Sequence, residues 1–533
     1  MTPWLQSLVP LAFVATLIAP PSATTSEPDD TPPSVPQRPR VTATTQATIN
    51  LSWQPSHDFE SGIAYYRVER DGQVVGQAET ESLTDTGLLP QTTHTYRVQA
   101  VNGVGLASGW SAPKDATTQA PPPSPFGSLA QRGVWSWFGD PRAVQVGNFT
   151  YTGWIDWNGD VVVAKYDNRS GSVQTNVVRS ALEVDDHDNP SVIFRPDGRL
   201  LVFYSKHAGS PMYYRLSSAP GDITAWDADQ TVPGTIAVTY PNPFFLPDEG
   251  DALYLFWRNE NGKPAFAISP DGGGTWGTAR TLIDTGPNIP SYVKYASNGR
   301  DRIDIAFTDT HPEKSAVNNV YHITYRDGAF YRADGTLAKT VAQLPLTPAD
   351  ADLVYDAAAV GATGWVWDIA LDSQERPVIA YANFPSTSDH RYRYARWTGA
   401  SWLDTEITAG GGSIDESGDD PFYSGGAALD PNNPAVVYLS KQVGAAFELE
   451  RWTTANGGAS WSAQIITTGS SAKNVRPFVP RDHQPGSIGL LWLYGGYTSY
   501  TQYETRPLYR MDPPARRPRR QEWSPVDDGL GVR

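Results

Sequence analysis

Between residues 131 and 512 the chain repeats one pattern seven times: apolar, aromatic-rich runs of strand length, paired across turns and spaced roughly 40–60 residues apart. The pairs are VQVGNFTYTGWID with DVVVAKYD, PSVIFRPDGRLLVFYS with MYYRLSS, PNPFFLPDEGDALYLFWR with PAFAISPDGGGTW, IDIAFTDT with VYHITYRDGAFY, WVWDIALDSQERPVIAYANF with YRYARWTGASW, GGAALDPNNPAVVYLSK with FELERWTTANG, and GSIGLLWLYGG with an ending near TRPLYR. Each unit reads as a four-stranded antiparallel sheet that hides its faces only by stacking on its neighbours, and stacking in a ring leaves no open end. The expected fold class is all-β, with a seven-bladed β-propeller over residues 131–512.

At 533 residues the chain exceeds the ~250–300 residues over which a single core usually grows, so more than one domain is expected. Its 47 Gly, 45 Pro, 26 Tyr and 18 Trp favour short strands, rigid turns and aromatic packing. Cysteine is absent, which removes disulfides and thiolate catalysis. The net charge of −16 opposes nonspecific attraction to nucleic acid or an anionic membrane, so an acidic ligand would need a local cluster of cationic groups. Residues 1–23 contain the apolar run LQSLVPLAFVATLI followed by small residues, the pattern of a secretory signal peptide without the usual basic start. A secreted, extracellular protein is expected, with no stable membrane insertion.

Residues 24–38 and 119–130 are Pro-rich and read as linkers, and 513–533 read as a C-terminal tail. Between them, residues 39–118 alternate apolar and polar positions, placing Trp53, Tyr66, Val68, Leu88, Tyr96, Val98 and Ala100 inward. The order LSW, YYRVERDG, GLLP, YRVQAVN and GWS resembles a fibronectin type III β-sandwich. His94 stands where that family commonly places a Tyr, and both His94 and His57 read as turn or surface residues.

Two segments in the repeat region, Ser269-Pro-Asp271-Gly-Gly273-Gly-Thr-Trp276 and Thr454-Ala-Asn456-Gly-Gly458-Ala-Ser-Trp461, follow an Asp-box pattern in which the Asp or Asn side chain satisfies backbone donors. They read as structural. Chemistry is expected elsewhere: Asp185-Asp186-His187-Asp188-Asn189-Pro190 packs polar groups before an apolar strand, and His207 follows that strand. A hairpin of this length can return the second His to the first. Tyr240, Arg258, Tyr292, Lys294 and His311 mark further strand entrances and exits that can converge on a funnel. Imidazole, phenol and guanidinium together suit proton abstraction beside a carboxylate.

The strings WFGDPRAV, LEVDDHDNPSVIFRPDGRLLVFYSKH, YPNP, YVKYASNGRDRIDIAFTDTHP and STSDHRYRYARWTG resemble the BNR-4 repeat proteins, a group that includes ulvan lyases and rhamnosyl-glucuronate polysaccharide lyases. The resemblance covers about Gly133 to Arg510. It implies a secreted carbon–oxygen lyase that cleaves a uronic-acid glycan by β-elimination, with His187, His207, Tyr240 and Arg258 as catalytic residues and Tyr292 as a second active-site Tyr. Tyr292, Lys294, His311, His390, Arg391 and Arg393 are expected to bind substrate. It also implies no organic cofactor, a structural Ca2+ with no assigned ligands, an acidic polysaccharide or oligosaccharide as partner, no nucleic acid, and a monomer. A sialidase-like glycoside hydrolase and a noncatalytic carbohydrate-binding propeller are the alternatives.

Overall fold

The computed structural model describes residues 29–45, 47–89, 91–119, 126–287 and 289–513; the expected signal peptide, most of the tail and part of each linker lie outside them. The protein is almost entirely β-sheet, and the chain divides into two compact units between residues 122 and 123. No helix among the described residues is long and apolar enough to cross a membrane.

The first unit is a sandwich. Strands Gln37–Thr44, Thr48–Gln54 and Ser82–Thr86 form one sheet; Gln73–Ala78, Ile63–Arg70, Thr93–Asn102 and Lys114–Thr117 form the other. Thr48–Gln54 buries alternate residues, as one-sided packing requires. All seven residues expected to face inward belong to its core. His94 pairs through Nδ1 with Asp71 at 2.6 Å, while the core Tyr96 hydroxyl donates to Asp85 at 2.7 Å. Residues 29–36, read as linker, bind this unit because the buried Asn102 amide needs acceptors and finds them at Asp29 and the Thr31 carbonyl.

Seven sheets among the described residues make up the second unit. Their first strands are Ala143–Val146, Ser191–Phe194, Thr239–Leu246, Val293–Ser297, Thr363–Leu371, Ala427–Leu429 and Lys473–Phe478. Strands in the middle of a sheet, such as Leu200–Tyr204 and Ala252–Arg258, are buried on both faces, which explains their unbroken apolar sequence. The last strand of the sixth sheet, Ser462–Ile465, is exposed throughout. The fourth sheet carries six strands, two more than its repeat implied. Residues Phe126–Ser128, read as linker, instead pair with Leu508, Tyr509 and Arg510, supplying hydrogen-bond partners to an otherwise open edge of the seventh sheet.

The segment from Val134 to Arg142 is held by the sheets at successive peptide groups. Arg476 donates to the Trp135 carbonyl, Asn189 accepts from the Ser136 amide at 3.0 Å, Lys294 donates to the Trp137 carbonyl, and Asn242 donates to the Phe138 carbonyl at 3.0 Å. Four different sheets or their leading loops thus grip one aromatic plug, whose Trp137 and Phe138 rings pack on Trp365 and Trp367.

Both Asp boxes are turns, as their sequence implied. Asp271 accepts from the Thr275 amide at 2.7 Å and from the Ser269 and Thr275 hydroxyls, and Gly272 and Gly273 occupy positive φ of 66° and 105° that side chains resist. Replacing Asp271 with alanine is expected to cost about 1–2 kcal/mol. Urea denaturation reads this directly, and turnover should stay at the wild-type level.

Candidate active site

The second sheet brings the two histidines together by register. Its opening hairpin pairs Ser191 with Phe203 and Phe194 with Leu200, and continuing that register sets position 187 opposite position 207. The imidazoles stack with centroids 3.9 Å apart and planes 6° from parallel. Asp185 caps the short turn Asp186–Asp188 by accepting from the His187 amide, and its carboxylate bridges both rings: Oδ1 lies 2.6 Å from His187 Nδ1 and Oδ2 lies 3.0 Å from His207 Nδ1. Burial opposes the Asp185 charge, but His187 and the hydrogen bonds from both rings hold its pKa well below the usual carboxylate range. An ionised carboxylate only accepts, so each ring carries its hydrogen on Nδ1 and turns Nε2 away from Asp185.

The two rings differ in charge. Burial would lower the pKa of His187, yet Asp186 and Asp185 outweigh it and raise the value to about 9. His187 Nδ1 is also 3.1 Å from Asp186 Oδ1, but its hydrogen points to Asp185 and that oxygen accepts no hydrogen bond, so this contact is electrostatic. Burial, then the neighbouring His187 charge, pushes His207 below the usual 6.5. At neutral pH one ring is an imidazolium and the other offers a free lone pair.

The third sheet adds Tyr240 and Arg258. Thr239 pairs with Arg258, and the ladder resumes at Asn242 with Phe256, so a bulge absorbs one extra residue. Tyr240 sits in that bulge at φ 63°, a strained conformation for an aromatic residue, which aims its ring to 5.5 Å from His187. The Arg258 guanidinium lies 4.6 Å above the Tyr240 ring and donates to the Tyr292 hydroxyl at 3.2 Å. Burial raises the Tyr240 phenol well above 10 against the pull of Arg258, so the phenol stays protonated. Tyr292 lies 6.4 Å from Tyr240, and His311 lies 5.4 Å from Tyr292 with its Nε2 3.0 Å from an Asp420 oxygen.

Other expected substrate residues are not brought to this cluster. Lys294 is 1% exposed, and its ammonium is held by Asp140 at 2.5 Å and the Trp137 carbonyl, so it is a structural cation and not a substrate contact. His390 is fully buried with Nε2 between the Thr387 and Pro421 carbonyls. Arg391 is bound by Asp389 and Glu406, and Arg393 by Asp404 and the Tyr381 hydroxyl; those partners occupy the groups an acidic sugar would need.

Sequence reasoning did not select several residues that build the site. Tyr500 meets both histidine rings edge-on at 5.1 and 5.8 Å. Arg476, at φ 53° in another bulge, binds Asp186 at 2.7 Å and the Tyr497 hydroxyl at 2.6 Å. Phe138 lies 5.3 and 5.0 Å from Tyr240 and Tyr292; the density of aromatics in WSWFG was the available signal. A cavity of only about 20 Å³ touches Tyr240, Arg258 and Tyr292, while His207 keeps 27% side-chain exposure, so a ligand here would lie across an open face. Asp185, His187 and His207 also bring ligand atoms within 4.8 Å of one another, a set that can hold a metal ion.

Residues 149–409 match the model of a BNR repeat-containing family member, and residues 34–117 match the fibronectin type III domain. An ulvan lyase of Pseudoalteromonas sp. (strain PLSV) is 22% identical over 312 residues, covering 49% of this chain and 62% of that protein. Exoglucanase B of Cellulomonas fimi is 35% identical over 132 residues, and chitinase Chi52 of Paenibacillus xylanexedens is 34% identical over 113; the chain spans 12% and 21% of their lengths. Among solved structures, the polysaccharide lyase PL25 ulvan lyase bound to -[GlcA(1-4)Rha3S]- superposes with a TM-score of 0.58 at 16% identity, over 73% of this chain and 96% of that one. The chain therefore carries a BNR-repeat domain behind an N-terminal fibronectin type III domain and resembles the ulvan-lyase-like PL25 proteins.

Proposed function

We propose that this protein is a secreted, monomeric polysaccharide lyase that cleaves a uronic-acid glycan, ulvan or a rhamnose–glucuronate polymer, by β-elimination on a closed seven-bladed propeller. The observation that carries the reading is the Asp185-bridged histidine pair, one ring charged and one neutral, beside a protonated Tyr240 and Arg258. Arg258 and the His187 imidazolium face the sugar carboxylate and stabilise the charge that builds on it. His207 Nε2 takes the C5 proton; the C5 electron pair becomes the C4–C5 double bond as the C4–oxygen bond breaks. Tyr240 gives its proton to the departing oxygen. Asp185 fixes the orientation of both rings and holds the neutral His207 in the tautomer that frees Nε2.

The pH dependence follows from the two imidazoles. Turnover should rise with pH through the His207 value below 6.5, where its lone pair becomes free, and fall as His187 loses its proton near 9. Because the folded value of His187 is raised, its contribution to stability is complete below pH 6.5 and is lost as pH climbs towards 9. Rate profiles and denaturation midpoints over that window check both statements.

A structural calcium, implied by the resemblance, suits oxygen ligands. Two imidazoles with one carboxylate favour zinc-like ions, whereas Asp29, Asp58 and Glu60 in the sandwich unit are an all-oxygen set. No step of the elimination is routed through either.

Incubating the protein with ulvan and with rhamnose–glucuronate polymers should release chains ending in an unsaturated uronate, seen as new ultraviolet absorbance. Shortened chains without that absorbance would favour hydrolysis, and saturable binding at unchanged polymer length would favour a noncatalytic role.

A further inference from the structure

One cavity of the BNR-repeat unit lies away from the histidines. His187, Tyr240 and Tyr292 sit at or just before the N-terminal ends of the first strands of their sheets. A cavity of about 330 Å³ is lined instead from the middle and C-terminal parts of the first strands of the fourth to seventh sheets, by Tyr295, Asp368, Leu429 and Phe478, together with Asp140, Arg481 and Asp482. The Trp137 and Phe138 plug and the buried Lys294–Asp140 pair lie between the two places. Its volume falls within the range of about 300–1,000 Å³ common for small-ligand sites.

The polar groups facing this cavity have unused hydrogen-bonding capacity of both kinds. The Arg481 guanidinium stacks 4.6 Å over Phe244, but its side chain makes no hydrogen bond or ion pair among the described residues. Its backbone is fixed at both ends, the amide donating to the Ala143 carbonyl at 3.1 Å and the carbonyl accepting from Gln145 at 2.9 Å, so the guanidinium stands in a set position. Asp368 accepts the Ile369 and Leu429 amides at 2.9 and 2.8 Å, one on each oxygen, which leaves a lone pair on each. The Asp482 carboxylate is exposed and makes no ion pair among the described residues.

The charge balance selects the ligand. Asp140 is already neutralised by Arg142 at 2.9 Å and Lys294 at 2.5 Å, and the two other carboxylates of the lining, Asp372 and Glu375, are paired with Arg376 at 2.7 Å and Arg300 at 3.0 Å, so the unpaired charges facing the cavity are one guanidinium against Asp368 and Asp482. A free anion would meet two carboxylates, and a free cation would meet Arg481. A sugar hydroxyl accepts from the guanidinium and donates to a carboxylate at once, without carrying net charge into a half-enclosed space. We propose that this cavity is a second saccharide site that binds a neutral sugar unit, in contrast to the acidic unit expected at the histidines. Such a site would hold a neutral stretch of a mixed polymer at the far end of the same unit, and it functions whether or not the histidines perform elimination.

The test uses the full chain and three probes, L-rhamnose, D-xylose and D-glucose, by saturation-transfer NMR and titration calorimetry. At least one should bind saturably with a dissociation constant of about 1 mM. Arg481→Met, which keeps the stack on Phe244, should weaken that binding by about tenfold or more, as should Asp482→Asn to a smaller degree, while Arg258→Ala leaves it unchanged. Saturable binding by none of the three sugars, equal affinity in Arg481→Met and Asp482→Asn, or loss in Arg258→Ala in place of Arg481→Met would each overturn the proposal. Because the probes are monosaccharides that cannot be depolymerised, the result is read independently of any lyase assay.

Discussion

Replacing His207 with alanine should lower turnover by about 10²–10⁴-fold while leaving the fold in place. The ring is the less buried of the pair, and its side chain has one hydrogen-bond partner, an Asp185 oxygen, among the described residues. Removing it opens one face of His187 to water but leaves the Asp185–His187 bond and both carboxylates that charge His187. The chemical step loses its base, whereas the electrostatic contribution of His187 and Arg258 persists. The loss should therefore appear in kcat with little change in KM, and the thermal melting curve should stay close to that of the parent. If the variant kept parental kcat, another group would have to take the proton, and the division of labour between the two rings would be wrong.

Arg476→Ala should be the most destabilising single change at the site, by about 3–5 kcal/mol. Arg476 is fully buried and Asp186 is 1% exposed; their 2.7 Å ion pair is joined by Tyr497, by the Trp135 carbonyl and by the Trp137 ring 3.9 Å from the guanidinium. Truncation leaves the Asp186 charge buried without its main partner and loosens the segment that forms the plug. Arg476→Lys should recover part of the loss by restoring the charge, but not the planar fork that reaches Asp186, Tyr497 and Trp135 together. Chemical denaturation of the two variants gives the comparison. Equal stability of Arg476→Ala and the parent would mean that Asp186 can find water, contrary to its burial.

The parts of this architecture that were legible in the sequence are those written in local patterns. Unbroken apolar runs encode strands covered on both faces, and alternation in residues 39–118 encodes a one-sided sandwich. The two histidines flank a single hairpin, so one register relation joins them. Arg258 and Tyr240 are likewise neighbours across one hairpin, once the bulge at Tyr240 takes up the extra residue. Lys294 was misread because its partner Asp140 lies 154 positions away, in the plug, and nothing near Lys294 announces it. Arg476 was overlooked for the same reason: it meets Asp186 across 290 positions. Arg391 and Arg393 are a different case, since their partners Asp389, Asp404 and Glu406 stand in the same strand or the next one, where cross-strand pairing could have revealed them. Strand-like periodicity also gave no sign of the two additional strands in the fourth sheet: Leu337–Thr340 extends it beyond Ala329–Tyr331, and Asp352–Tyr355 pairs with Val320–Arg326 beside that strand.

The most direct test of the elimination chemistry is digestion of a uronate polymer in water enriched in heavy oxygen, with the products weighed by mass spectrometry. Elimination forms a double bond from the sugar's own electrons, so in products weighed before the newly freed hemiacetal exchanges its oxygen with solvent, the new chain ends should carry no heavy oxygen and their masses should sum to that of the parent. Incorporation of one heavy oxygen per cleavage would mean that water is the attacking group, and the roles given to His207 and Tyr240 would fail.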